Sequence, residues 1–172
     1  MQTIENKNLA LLSQLFIKKR ITVAVAESCT SGMIQFTLSQ APEAMSFFHG
    51  GMTVYNAGQK AKHLNINPIM AEACNSVSKE IAEQMALQVA QNFNAEVGIG
   101  ITGYSQPVPD KNIDNCFAYI AFNINGTTAL SKMIKGNPAK SLSYNQSEYT
   151  RKTVKVLLNI LNKNKTVRRI VT

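Results

Sequence analysis

A chain of 172 residues fits one domain, long enough to bury most of its apolar surface. A hydrophobic share of 45%, aromatics at 7% and no tryptophan suit an aliphatic core, and no apolar run approaches the length of a membrane span. The net charge of +8 argues little for nucleic acid: residues 1–131 hold eight basic and nine acidic side chains, residues 132–172 ten basic and one acidic, Glu148. No aromatic residues interleave with Lys163, Lys165, Arg168 and Arg169 as a stacking platform requires. Residues 163–172 read as a solvated basic tail, or a collar that attracts an anionic small molecule, behind a single domain spanning 1–162. The three cysteines, Cys29, Cys74 and Cys116, are far apart and in no metal-ligand spacing. They read as free thiols, and with no signal-peptide core before Lys18-Lys19-Arg20 the expectation is a soluble cytoplasmic protein.

In chain order, residues 3–18 form an amphipathic helix with Ile4, Leu11, Leu12 and Leu15 on one face, Leu9 and Phe16 beside them, and cations at the favourable end. Ile21 to Ala26 has the β-branched content of a buried strand, and a helix follows Thr30 and stops near Ala41-Pro42. Ser46 to Tyr55 is extended, its paired Gly50-Gly51 marking a bulge or the close approach of another backbone. Lys60 and Lys62 fall on a short helical segment ending near Asn65, and Asn67-Pro68 opens a brief helix or turn. Ser78 caps the clearest helix, with Ile81, Met85 and Val89 in one row and Ala82, Ala86 and Ala90 in another. Glu96 to Thr102 is a central strand, Gly103 to Asn115 a loop, and Cys116 to Ile124 a strand that turns at Asn125-Gly126 into Thr127 to Ile134. The last helix buries Tyr149, Thr153, Val156, Leu157, Ile160 and Leu161. Alternating helices and strands with a terminal hairpin predict a three-layer α/β/α sandwich on a mixed, mainly parallel sheet.

Ala26-Glu27-Ser28-Cys29-Thr30-Ser31-Gly32 concentrates reactive groups at a strand-to-helix turn. The first N–H groups of that helix are a ready site for phosphate, carboxylate or a developing oxyanion; alternatively, Ser28 or Thr30 simply caps them. In open α/β sheets, ligands gather at the carboxyl ends of strands. Three such ends, at Ser28 to Gly32, Tyr55 to Lys60 and Thr102-Gly103, would together make one pocket. A serine beside a lysine of lowered pKa is a nucleophile that needs no histidine, and His49 and His63 suggest no triad.

These stretches also carry a resemblance. The heptapeptide resembles the A-E-S-C-T-G-G signature of the CinA C-terminal domain family, the nicotinamide-nucleotide amidases. The similarity continues through Phe47-Phe48-His49-Gly50-Gly51, Val54-Tyr55, Lys60, Val77-Ser78-Lys79-Glu80 and Gly100-Ile101-Thr102-Gly103. The resemblance implies hydrolysis of the carboxamide of nicotinamide mononucleotide, giving nicotinic acid mononucleotide and ammonia, by a homo-oligomer. Tyr55 and Lys60 match the family's tyrosine and lysine, and with Ser28 they form the expected catalytic set. Cys29, Thr30, Ser31, Gly32, Ser46, Thr102, Gly103 and Arg151 are the expected substrate-binding set. Lys60 would accept a proton from a serine or a water, Tyr55 would hold that lysine or relay the proton, and Ser46 is a second candidate nucleophile. No metal and no cofactor is expected. The chain departs from the family pattern where a glycine-rich loop becomes Tyr104-Ser105-Gln106-Pro107-Val108-Pro109-Asp110, since prolines remove backbone donors. The alternative is therefore a paralogue of the same fold that binds a nucleotide without turning it over.

Overall fold

The computed structural model describes residues 6–163. Helix α1 (Asn6–Lys19) buries Leu9, Leu12 and Phe16. Leu11, expected on that face, is 42% exposed, because the inward stripe follows the spacing of Leu9, Leu12 and Phe16 around the helix. Ile4 lies outside the described residues.

Strand β1 (Val23–Glu27) is buried along its whole length. Its alternation defines the layers: Val23 and Val25 pack with α1, while Ala24 and Ala26 face the opposite side of the sheet. After it come α2 (Met33–Ser39), a 3-10 turn at Ala44–Ser46, and β2 (Phe48–Thr53). Then follow α3 (Ala57–Leu64), α4 (Pro68–Ala73), α5 (Lys79–Asn92) and β3 (Val97–Tyr104). A second 3-10 turn at Pro109–Lys111 precedes β4 (Phe117–Ile124), β5 (Thr127–Lys135) and α6 (Leu142–Lys163). The rest of the basic tail, 164–172, lies outside the described residues.

The five strands lie in the order β2-β1-β3-β4-β5. β1 pairs in parallel with β2 and with β3, and β4 runs antiparallel to both β3 and β5, so every strand but β4 points the same way. α1, α2 and α6 pack on one face, α3, α4 and α5 on the other, which is the expected mixed α/β/α architecture.

Local chemistry explains the elements that aim the site. Asn56 caps α3 by accepting from the Gln59 N–H at 2.9 Å, and Ser78 caps α5 by accepting from the Ile81 N–H at 3.2 Å. The register between β1 and β2 slips after Val23, leaving His49 as the extra residue of a bulge, and Gly50 takes φ +127 beside it. On β3, a Cβ at Gly98 or Gly100 would strike the backbone of Ala86 or Ala82, so these glycines and the alanine row of α5 let helix and sheet meet closely. β3 continues through Gly103 to Tyr104, two residues further than expected, because both residues pair with β4.

The carboxyl ends of β1, β2 and β3 share one edge of the sheet. The pairing of Tyr104 with Phe117 and of Phe117 with Lys135 brings the start of β4 and the end of β5 to the same edge, and α6 begins seven residues beyond Lys135.

Candidate active site

At this edge β1 delivers Ser28, and the turn after β2 feeds α3, whose first turn carries Lys60 back toward it. Lys60 is a fully buried side chain and Ser28 is 7% exposed. The Lys60 Nζ donates to Ser28 Oγ at 3.2 Å, to the Val54 carbonyl at 3.0 Å and to the Tyr55 carbonyl at 3.1 Å. Burial without a carboxylate partner disfavours the ammonium and pulls the Lys60 pKa down to about 8. Two of its three partners are carbonyls, which only accept; the third is a hydroxyl, which can also donate. A neutral Lys60 therefore spends both N–H groups on the carbonyls and turns its lone pair to Ser28.

A model of the CinA C-terminal domain matches residues 5–162. The chain belongs to that family. Among its relatives, a protein of Alkaliphilus metalliredigens described as competence-damage inducible is 34% identical over 127 residues, covering 72% of this chain and 30% of the relative. One from Clostridium botulinum (strain Loch Maree) is 33% identical over 159 residues, 90% of this chain and 36% of the relative. The chain thus spans about a third of the length of the curated relatives it matches, 34% and 30% for two of them. The crystal structure of a competence or damage-inducible protein from Enterobacter asburiae superposes with a TM-score of 0.85 at 22% identity, covering 94% of this chain and 99% of the other. A CinA superfamily protein from Escherichia coli gives 0.80 at 25% identity, over 94% and 92%.

In this CinA domain the start of α2 is organised differently from either sequence-based alternative. Neither Ser28 nor Thr30 caps the helix through its side chain. The buried Glu27 carboxylate turns back instead and accepts from the N–H groups of Gly32 (3.1 Å), Ile34 (3.1 Å) and Gln35 (2.8 Å). The Ser31 and Met33 N–H groups bond the carbonyls of Ser28 and Thr30. An anion-binding role for these donors is thereby pre-empted, since a carboxylate of the chain already takes the positive end of the helix. Thr30 is buried and its hydroxyl has no partner within the described chain.

The other expected residues divide. The Tyr55 phenol is 61% exposed and hydrogen-bonds Ser31 Oγ, while the Tyr55 carbonyl, not the phenol, holds Lys60. Thr102 comes to the same edge, but its hydroxyl donates to the Ser76 carbonyl at 2.6 Å and so pins the turn before α5. Gly103 serves the sheet: a Cβ there would strike Phe117 and Ala118 of β4. Arg151 is on the exposed face of α6, its guanidinium bonded to Glu148 at 2.9 and 3.0 Å. The Cys29 thiol is pushed up to about 12, chiefly by burial, which keeps it protonated and a poor nucleophile.

Ser46 is not brought to Ser28. It closes the 3-10 turn before β2, whereas Ser28 follows β1; with the two strands parallel, these positions are at opposite ends of the sheet, about 15 Å apart along the strands. Ser46→Ala is accordingly expected to leave turnover and melting temperature unchanged, checked by a steady-state assay and a thermal melt.

Sequence reasoning missed the polar residues that tie this edge together. Ser105 Oγ donates to the Cys29 carbonyl at 2.9 Å, and Gln146 Nε2 donates to the same carbonyl at 3.0 Å and to Ser31 Oγ at 3.1 Å. Asn145 Nδ2 donates to the carbonyls of Ser105 and Asn137, both at 2.9 Å, while Tyr149 donates to the Tyr104 carbonyl at 2.9 Å. The segment that follows β3 is thus anchored by the first turns of α6. The available signal was Asn145-Gln146 one turn before Tyr149, two amides on a face otherwise read as apolar. Among the described residues no group of His, Cys, Asp or Glu could hold a metal ion, and no helix is long and apolar enough to cross a membrane.

Proposed function

We propose that this CinA domain is an amidohydrolase that converts nicotinamide mononucleotide to nicotinic acid mononucleotide and ammonia, with Ser28 as nucleophile and Lys60 as its base. The supporting observation is the 3.2 Å contact of a buried, pKa-lowered amine with a serine hydroxyl, its other hydrogen bonds going to carbonyls. Lys60 takes the Ser28 proton as Oγ bonds to the carboxamide carbon. Collapse of the tetrahedral intermediate breaks the C–N bond, and the Lys60 ammonium protonates the leaving nitrogen, releasing ammonia. Water then attacks the seryl ester, giving its proton to Lys60, and the acid departs as Ser28 recovers its proton. The N–H groups Glu27 occupies take no part. The reading places the domain in the cytoplasm, where nucleotide and free thiols coexist.

Ammonia release from nicotinamide mononucleotide by the purified protein tests this reading, against Lys60→Met and Ser28→Ala as backgrounds. Release that matches those backgrounds sinks it. A rise in melting temperature with the mononucleotide but no ammonia identifies a nucleotide-binding module in its place.

The pH profile supplies a second check. A base must be neutral to act, so kcat/KM is expected to rise tenfold per pH unit below the Lys60 pKa of about 8 and to level off above it. A flat profile between pH 6 and 8 contradicts the assignment.

A further inference from the structure

Gln146 is 7% exposed and lies at the meeting point of the Ser28 turn, the rim tyrosine and α6, where its side-chain amide donates to the Cys29 carbonyl and Ser31 Oγ while Lys60 donates to Ser28 and the Val54 and Tyr55 carbonyls. The orientation of its amide is fixed by chemistry. One partner is the Cys29 carbonyl, which can only accept, so the end of the amide that faces it is the NH2 group. The same nitrogen reaches Ser31 Oγ, and its second hydrogen goes there. Ser31 Oγ therefore accepts from Gln146. The Ser31 hydroxyl keeps one proton of its own, and the acceptor beside it is the Tyr55 oxygen. Either hydroxyl can donate across the Ser31–Tyr55 contact; when Ser31 donates, the chain runs in one direction, from Gln146 through Ser31 to Tyr55. The Tyr55 proton is then directed outward, on a side chain that is 61% exposed at the rim of the Ser28–Lys60 site.

We propose that Gln146 is a positioning residue of the site: it orders the Gln146–Ser31–Tyr55 chain so that the Tyr55 hydroxyl donates to an acceptor oxygen of the bound mononucleotide. The inference rests on the nucleotide reading of this site and adds to it the source of the polarity at its rim. Gln146 also shares the Cys29 carbonyl with Ser105, so the turn keeps one donor when Gln146 is replaced.

The test is calorimetric binding of nicotinamide mononucleotide, with steady-state ammonia release in parallel, for the wild type, Gln146→Leu, Ser31→Ala, Tyr55→Phe and the two double variants with Tyr55→Phe. Gln146→Leu and Ser31→Ala are each expected to weaken binding and raise KM by about three- to tenfold, the worth of one hydrogen bond, with a smaller change in kcat. In the Tyr55→Phe background both effects should vanish, because the donor through which they act is gone. A purely structural role for Gln146 does not produce that non-additivity. Ser31 is exposed and its replacement leaves the Cys29 carbonyl untouched, so Ser31→Ala decides the matter if Gln146→Leu fails to fold.

Wild-type affinity in Gln146→Leu, or losses that add fully to those of Tyr55→Phe, overturn the proposal while leaving the amidase reading intact. Binding without ammonia release removes the amidase reading and leaves this proposal to be judged on the calorimetry alone. No binding by the wild type removes both.

Discussion

Lys60→Met is expected to lower ammonia release by about 10²- to 10⁴-fold, the range a positioned general base contributes. Ser28→Ala should fall to a similar level, and the double variant little further, because nucleophile and base act as a unit. Stability should behave differently from activity. The drop of the Lys60 pKa from 10.5 to about 8 corresponds to roughly 3 kcal/mol of penalty carried by the buried ammonium at neutral pH. Methionine removes that penalty but leaves the Val54 and Tyr55 carbonyls without their donor, at about 1–3 kcal/mol each. The terms nearly cancel, so the melting temperature at pH 7 should move by only a few degrees. The pH dependence separates them. Because the folded pKa is below the unfolded one, the unfolded chain binds the extra proton between pH 8 and 10.5, and wild-type stability rises with pH across that window. Lys60→Met should lack this rise, and thermal melts of both proteins from pH 7 to 10.5 will show whether it does.

Glu27→Leu should be the most destabilising single change at the site. It strands three N–H groups, those of Gly32, Ile34 and Gln35, at about 1–3 kcal/mol apiece. A sum on the order of 3–9 kcal/mol is comparable to the entire stability of many domains. Glu27→Gln keeps one acceptor oxygen and loses the charge facing the helix dipole, so a cost of about 1–2 kcal/mol is expected. Glu27→Ala provides the sharper check, because it empties the position of the carboxylate without filling it. Sulfate should then raise the melting temperature of Glu27→Ala more than that of the wild type. Equal effects of sulfate on the two proteins would mean that Glu27 does not occupy the anion-binding position.

Much of this was legible in the residues. The Val23 to Ala26 run, the alanine row of α5, the Ser78 cap and the Asn125-Gly126 turn are local features, and local propensity and periodicity fix them. Gly50-Gly51 correctly signalled a bulge. The three strand ends converge because parallel strands joined through helices must present their carboxyl ends to one side. The residues left more open wherever a side chain had more than one place to go. Thr102 reads as a pocket hydroxyl until the fold sets the Ser76 carbonyl 2.6 Å away. Ser46 reads as a nucleophile candidate because sequence distance from an aromatic pair carries no information about which end of a strand it occupies. Arg151 falls on the outward face of α6, a matter of helix phase that a single position cannot set.

The Ser28 turn shows the division most clearly. Its sequence determined a strand-to-helix junction rich in hydroxyls, and the resemblance it carries determined the family. Which groups would take the helix N–H donors was left open among Ser28, Thr30 and a bound anion. The tertiary structure chose Glu27, because a long carboxylate at the last position of a buried strand can fold back over three donors that a serine reaches singly. It also supplied the condition on which the expected base role of Lys60 depends: a lysine's pKa is set by burial and by which partners surround the amine, and both arise only when α3 packs against the sheet.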